Sequence, residues 1–179
     1  MKQSIRKRAL LRLLYASACL ALCMVLPFLT GQIPQIGSML SPMHIPVFLA
    51  GFLCGPWWAV AVGVTAPLLR YLWLGMPPLL TAVAMSFELA AYGLVSGVLY
   101  AKLPRRNGSI YAALLSAMVL GRIVWGAAMV VISGVSKTAF TWAAFLAGAF
   151  TNAVPGIIVH ILLIPVLVMA LRRAGLIRG

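Results

Sequence analysis

The sequence predicts an all-α membrane protein of six transmembrane helices, and three observations carry that prediction. Hydrophobic residues make up 64% of the chain and charged residues 8%, a balance foreign to soluble globular domains. At about 20 apolar residues per helical span, the 179 residues hold roughly six spans and little else, so residues 1–179 are expected to form one membrane domain. The basic residues are also grouped. Lys2, Arg6, Lys7, Arg8 and Arg12 precede or open the first apolar run, Lys102, Arg105 and Arg106 share one short connection, and Arg172, Arg173 and Arg178 close the chain. These groups alternate with nearly uncharged connections, the positive-inside pattern that places both termini and the 102–108 loop in the cytoplasm.

That grouping accounts for a net charge of +13. In a soluble protein such basicity suggests nucleic acid; here membrane topology explains it, and no nucleic-acid partner is expected. The protein's solvent is expected to be a lipid bilayer.

The first span covers about 8–29. Its basic start followed by an apolar run has the look of a signal peptide, but Leu10 to Leu29 is of spanning length and "LPFLTG" is a poor small-residue cleavage site, so the helix is expected to be retained. The loop "TGQIPQIGSMLSPMHIP" follows, with three prolines, two glycines and no fixed charge. It lies outside and is long beside connections of ordinary length, as a lid over a site would be. The next apolar run is broken by "CGPWW" and divides into a short second helix (45–54) and a third (57–74). Ten residues reach only ~15 Å, half the hydrocarbon thickness. The second helix therefore either recruits the loop or stops midway, where irregular backbone needs protein or a watery cavity beside it. "GMPPLL" is an outer turn, the fourth span covers 79–101, "KLPRRNG" is cytoplasmic, the fifth covers 110–133, "GVSKTAF" is outside, and the sixth runs over 141–171.

Cys19, Cys23 and Cys54 sit in apolar runs without a metal-type or disulfide spacing, and read as packing residues. Three charged residues lie inside spans: Arg70, Arg122 and Glu88, the last being the only carboxylate side chain in the protein. Each opposes insertion by roughly 2.5–3.5 kcal/mol at a helix centre unless paired or solvated. Glu88 shares a helical face with Thr81, Met85, Tyr92 and Ser96, and Arg122 shares one with Met118, Trp125 and Met129. Asn152 lies one turn from Gly148 and Gly156, with His160 two turns on.

Two readings follow. In one, these faces meet in a pocket, with Glu88 and Arg122 as charged anchors, Asn152 as a donor and acceptor, and Tyr92 and Trp125 as flat walls, the mix a small organic ligand needs. In the other, Glu88 pairs with Arg122 or Arg70 and merely fixes helix register. Arg70, near the outer end of its span, is expected to snorkel. His160, alone on an apolar helix, reads as a core residue, His44 falls in the lid, and Lys137 reads as a solvated loop charge. Gly93-x-x-x-Gly97 and Ser17-x-x-x-Ala21 permit close helix approach, either within the chain or against another membrane subunit.

Several chemistries lack their residues. GxxxxGK[ST] and HExxH are missing, and without an aspartate no Ser-His-Asp set forms, so neither ATP hydrolysis nor common hydrolytic catalysis is expected. Proton-coupled carriers relay charge through several membrane carboxylates, and one is too few. The protein is expected to be a binding subunit energised from elsewhere, with no cofactor and no catalytic residues.

The arrangement resembles the substrate-binding S components of energy-coupling factor (ECF) vitamin transporters. The resemblance spans nearly the whole chain and is most specific over "SMLSPMHIPVFLAGFLCGPWWAVAVGVTAPLLRYL"; "GMPPLLTAVAMSFELAAYGLVSGVLY", "GRIVWG" and "FLAGAFTNAVPGI" are similar to the binding helices of the pantothenate, folate and pyridoxine-type branch. It implies a vitamin taken from outside under the first loop, then delivered by association with a membrane scaffold subunit and two cytoplasmic ATPase subunits. Binding residues would be Met43, His44, Glu88, Tyr92, Arg122, Trp125 and Asn152. Docking would use Ser17 and Ala21, an approximate match to the family's Ala-x-x-x-Ala. Arg122 suits a carboxylate such as pantothenate, while Glu88 and the aromatic walls suit a B6-type ring; the sequence leans slightly to pantothenate.

Overall fold

Helix α1 runs over Lys2–Val25 and tightens into a 3-10 turn over Leu26–Thr30. Pro27 explains the change, because it donates no N–H and disfavours helical geometry in the residue before it. The computed structural model describes residues 2–30, 33, 37, 39–104, 106–136, 141–149 and 153–177. Much of the long first loop, together with Lys137 and Asn152, lies outside them.

Helix α2 covers His44–Cys54. Nine of its eleven residues are buried, and it packs against α1 and against three helices described next, α3 (Pro56–Leu74), α4 (Leu79–Lys102) and α7 (Val154–Arg173). This resolves the expectation for the short second helix. At ~16 Å it does not span, and neighbouring protein shelters its ends as the bilayer requires. The turn into α3 is made by Gly55 at φ +90°, a conformation that side chains resist, with Pro56 opening the new helix.

Small residues set how closely α3 and α4 approach. A Cβ on Gly63 would stand 2.6 Å from the carbonyl carbon of Leu89, and one on Gly93 would stand 2.7 Å from Ala59 Cβ. Gly97 meets Pro56 in the same way. The Gly93-x-x-x-Gly97 motif therefore packs helices of this chain together.

Arg70 corrects the snorkelling expectation. It is buried, its Nη1 donates to the Met24 carbonyl at 3.2 Å, and its guanidinium stands 5.6 Å from the centre of the Phe28 ring. The last carbonyls of α1 lack helical partners and carry the negative end of the helix dipole. A cation placed there needs no carboxylate.

Helix α5 runs over Asn107–Ser136, α6 over Trp142–Ala149 and α7 over Val154–Arg173. Within 141–171, expected as one span, the described residues form α6 and α7, with residues 150–152 outside them and Pro155 in the first turn of α7, where a proline is tolerated. Among the described residues five helical segments are long and apolar enough to cross a membrane: Ala9–Leu29, Pro56–Leu74, Leu79–Lys102, Asn107–Gly134 and Val154–Arg173. Their outward faces carry large apolar side chains such as Leu10, Leu72, Val131 and Leu162, with Trp57 and Trp73 near helix ends, as lipid-facing surfaces and their aromatic borders do.

Candidate functional site

Glu88 stands at mid-length in α4, 2% exposed. A carboxylate there requires partners, and the structure supplies them from three helices. Arg122 of α5 brings Nη1 to 2.9 Å from Glu88 Oε1. Tyr92, one turn along α4, donates its hydroxyl to the same oxygen at 2.7 Å. His44, the first residue of α2, places Nε2 at 3.7 Å from it, beyond hydrogen-bond length. The approach of α5 depends on Gly121: any Cβ at that position would run into the Tyr92 ring.

Two further aromatic groups close around this core. The Phe48 ring, one turn after His44 on α2, lies 4.8 Å from that of Tyr92. His160 of α7 stacks on His44 at 5.8 Å and 20°, and its ring also hydrogen-bonds the main chain of Ser41. The loop reaches α7 at a second point, because Gly156 lies under the carbonyls of Met39 and Leu40, where a side chain would collide. Nδ1 and Nε2 of His44 and Nε2 of His160 are buried and have no hydrogen-bond partner among the described residues.

Of the residues expected at the site, His44, Glu88, Tyr92 and Arg122 are brought together. Met43 is buried beside them in sequence, but its carbonyl accepts from Cys23 Sγ of α1 at 3.5 Å. Trp125, one turn beyond Arg122, stacks on Phe145 of α6 at 6.2 Å and touches Gly148, so it forms a wall between α5 and α6. Asn152 lies outside the described residues. Ser17 and Ala21 are exposed on α1. The register reading gains its Glu88–Arg122 pair, with Arg122 and not Arg70 as the partner. His160 is buried as a core residue would be, yet it belongs to the polar cluster. Its signal in the sequence was the four-residue spacing 152, 156, 160, which puts it on the face of α7 that carries Gly156.

A cavity of about 260 Å³ opens elsewhere, lined by Arg12, Tyr15, Cys54 and Tyr100 among others. It lies at the far ends of α2 and α4 from His44 and Glu88, and shares no lining residue with the cluster. Cysteines 19, 23 and 54 are free and buried.

The cluster joins opposite charges, hydrogen-bonding rings and apolar side chains deep among membrane helices, residue types that sites for small polar molecules also combine. No curated protein and no solved structure matches the chain. The family model for the substrate-specific component of ECF transporters matches residues 12–168. Such components are multi-pass transport subunits of the bacterial plasma membrane that bind the substrate. The match covers most of the protein, from the first turns of α1 to the last of α7, and the chain therefore belongs to the ECF transporter substrate-specific components.

Proposed function

We propose that this subunit captures a small water-soluble vitamin, pantothenate or a B6-type compound, from outside the cell and delivers it by association with a membrane scaffold and two cytoplasmic ATPase subunits. The ligand sits among Met43, His44, Glu88, Tyr92, Arg122, Trp125 and Asn152. The first loop, anchored on α7 at Gly156 and His160, covers it. The exposed Ser17 and Ala21 face of α1 docks on the scaffold, six spans cross the bilayer, and both termini lie in the cytoplasm.

One observation carries this reading. A pair that only fixed register would be complete with Glu88, Arg122 and the Tyr92 hydroxyl. Two buried imidazoles stand beside it, with three nitrogens that have no hydrogen-bond partner among the described residues, and each such atom costs about 1–3 kcal/mol of desolvation. A ligand that uses those atoms offsets the cost. The alternative, a structural or assembly subunit of a membrane complex, is favoured by the closeness of the Glu88–Arg122 pair at 2.9 Å. Equilibrium binding of radiolabelled vitamins to the purified chain separates the two. A binding subunit gives saturable binding of one vitamin, and an assembly subunit gives none with any of them.

A further inference from the structure

The charges around Glu88 balance without help. Glu88 contributes one negative charge and Arg122 one positive, 2.9 Å apart, while Tyr92 uses its hydroxyl on the same carboxylate. Among the described residues the other titratable groups facing this centre are His44 from α2 and His160 from α7. No second carboxylate exists in the protein to balance a charged imidazole, and the two rings stack at 5.8 Å beside a guanidinium. A net-charged ligand would meet a site whose own charges already cancel, and would bring an unmatched charge into a low-dielectric interior. A purely apolar ligand would leave Nδ1 and Nε2 of His44 and Nε2 of His160 buried and without a hydrogen-bond partner among the described residues.

We propose that His44 and His160 are the hydrogen-bonding contacts of the ligand, and that the site selects an aromatic ring carrying hydrogen-bond donors and acceptors but no net charge. This rests on the reading of the cluster as the vitamin site and narrows it, against the slight preference for pantothenate that the sequence alone supports. Aromatic rings already pack on one another beside the imidazoles. The rings of Phe48 and Tyr92 lie 4.8 Å apart, and Phe48 also stands 6.1 Å from His160. A ring of comparable size stacks on such groups at offset or tilted angles. Nδ1 and Nε2 of one imidazole supply one donor and one acceptor in the neutral form, which matches a pyridine-type ring nitrogen with its hydroxyl or amide substituents. His160 is the specificity-determining member, since it is joined to both His44 and the Ser41 main chain of the loop.

The test uses the full chain in lipid nanodiscs and four probes: pyridoxine and nicotinamide, which carry no net charge at neutral pH, and pantothenate and nicotinate, which are anions. Nicotinamide and nicotinate share one pyridine ring and differ in its substituent, an uncharged carboxamide against a carboxylate. The expected result is binding of an uncharged probe in preference to both anions. His160→Leu should weaken that binding about tenfold or more, as loss of hydrogen bonds to buried polar groups does, and His160→Gln should restore most of it. Because His160→Leu also removes the bond to the Ser41 main chain, affinity is read at a temperature where the apo variant remains folded: a ligand contact loses binding of the uncharged probe there, whereas a purely structural His160 lowers the unfolding temperature and leaves the affinity of the folded protein unchanged. Preferential binding of pantothenate or nicotinate overturns this inference and leaves the vitamin-binding reading standing. An uncharged probe bound equally well by wild type and His160→Leu also overturns it. Binding of none of the four, nor of any other vitamin, overturns the vitamin reading and this inference with it.

Discussion

Replacing Arg122 by Gln isolates the energetics of the buried carboxylate. Glu88 is 2% exposed and its Oε1 lies 2.9 Å from Arg122 Nη1. With charge centres at roughly 4 Å, an effective dielectric constant near 20 gives an attraction of about 4 kcal/mol. Removing one partner of such a buried pair costs about 3–5 kcal/mol, since the remaining charge stays desolvated. The two partners are not equivalent: the Arg122 side chain retains 14% exposure and has a long stem with which to seek water. Arg122→Gln is therefore expected to destabilise the apo protein by about 3–5 kcal/mol, and Glu88→Gln by less, about 1–2 kcal/mol, the scale of hydrogen bonds weakened from charged to neutral. The double variant should fall well short of the sum, because neither charge remains. Reversible unfolding in mixed detergent–SDS micelles, followed by intrinsic tryptophan fluorescence, reads all three differences. Equal losses from the two single variants, or strict additivity in the double, would refute the reasoning that Glu88 is held ionised by Arg122.

Other outcomes follow from the same contacts. Gly121→Ala should push the Tyr92 ring away from α5, destabilising the fold by about 1–3 kcal/mol as overpacking does and weakening ligand binding, both measurable in the micelle and binding assays. Arg70→Met should loosen the end of α1 by removing the bond to the Met24 carbonyl; hydrogen exchange of residues 20–30 would rise while exchange in α4 and α5 stays unchanged. Cys19, Cys23 and Cys54 are free and buried, so a maleimide should label none of them in the folded protein and all three in SDS, with mass spectrometry counting the adducts.

Much of this was legible in the sequence. Apolar run length and basic clustering locate the long helices because bilayer thickness and charge exclusion are strong, local constraints. Intramembrane charge marked Glu88 and Arg122 for the same reason. Pro155, which stands in the first turn of α7, was also visible, but a proline alone does not say whether a membrane helix begins, kinks or stops there. Arg70 could not be placed from the sequence, since its partner is a main-chain carbonyl of α1, and any helix end would offer one. His160 was hidden by its apolar neighbours. Only the packing of α7 against the Met39–Ser41 segment and α2 brings its ring onto His44, a contact between residues 116 positions apart (160 − 44) that no local pattern encodes.

The central claim is that a ligand occupies the centre built around Glu88, and titrating the bound vitamin against purified wild type and Glu88→Gln tests it most directly. One saturable site in the wild type, with binding reduced at least about tenfold in the variant, is the result predicted. Undiminished binding in a correctly folded Glu88→Gln protein would contradict it.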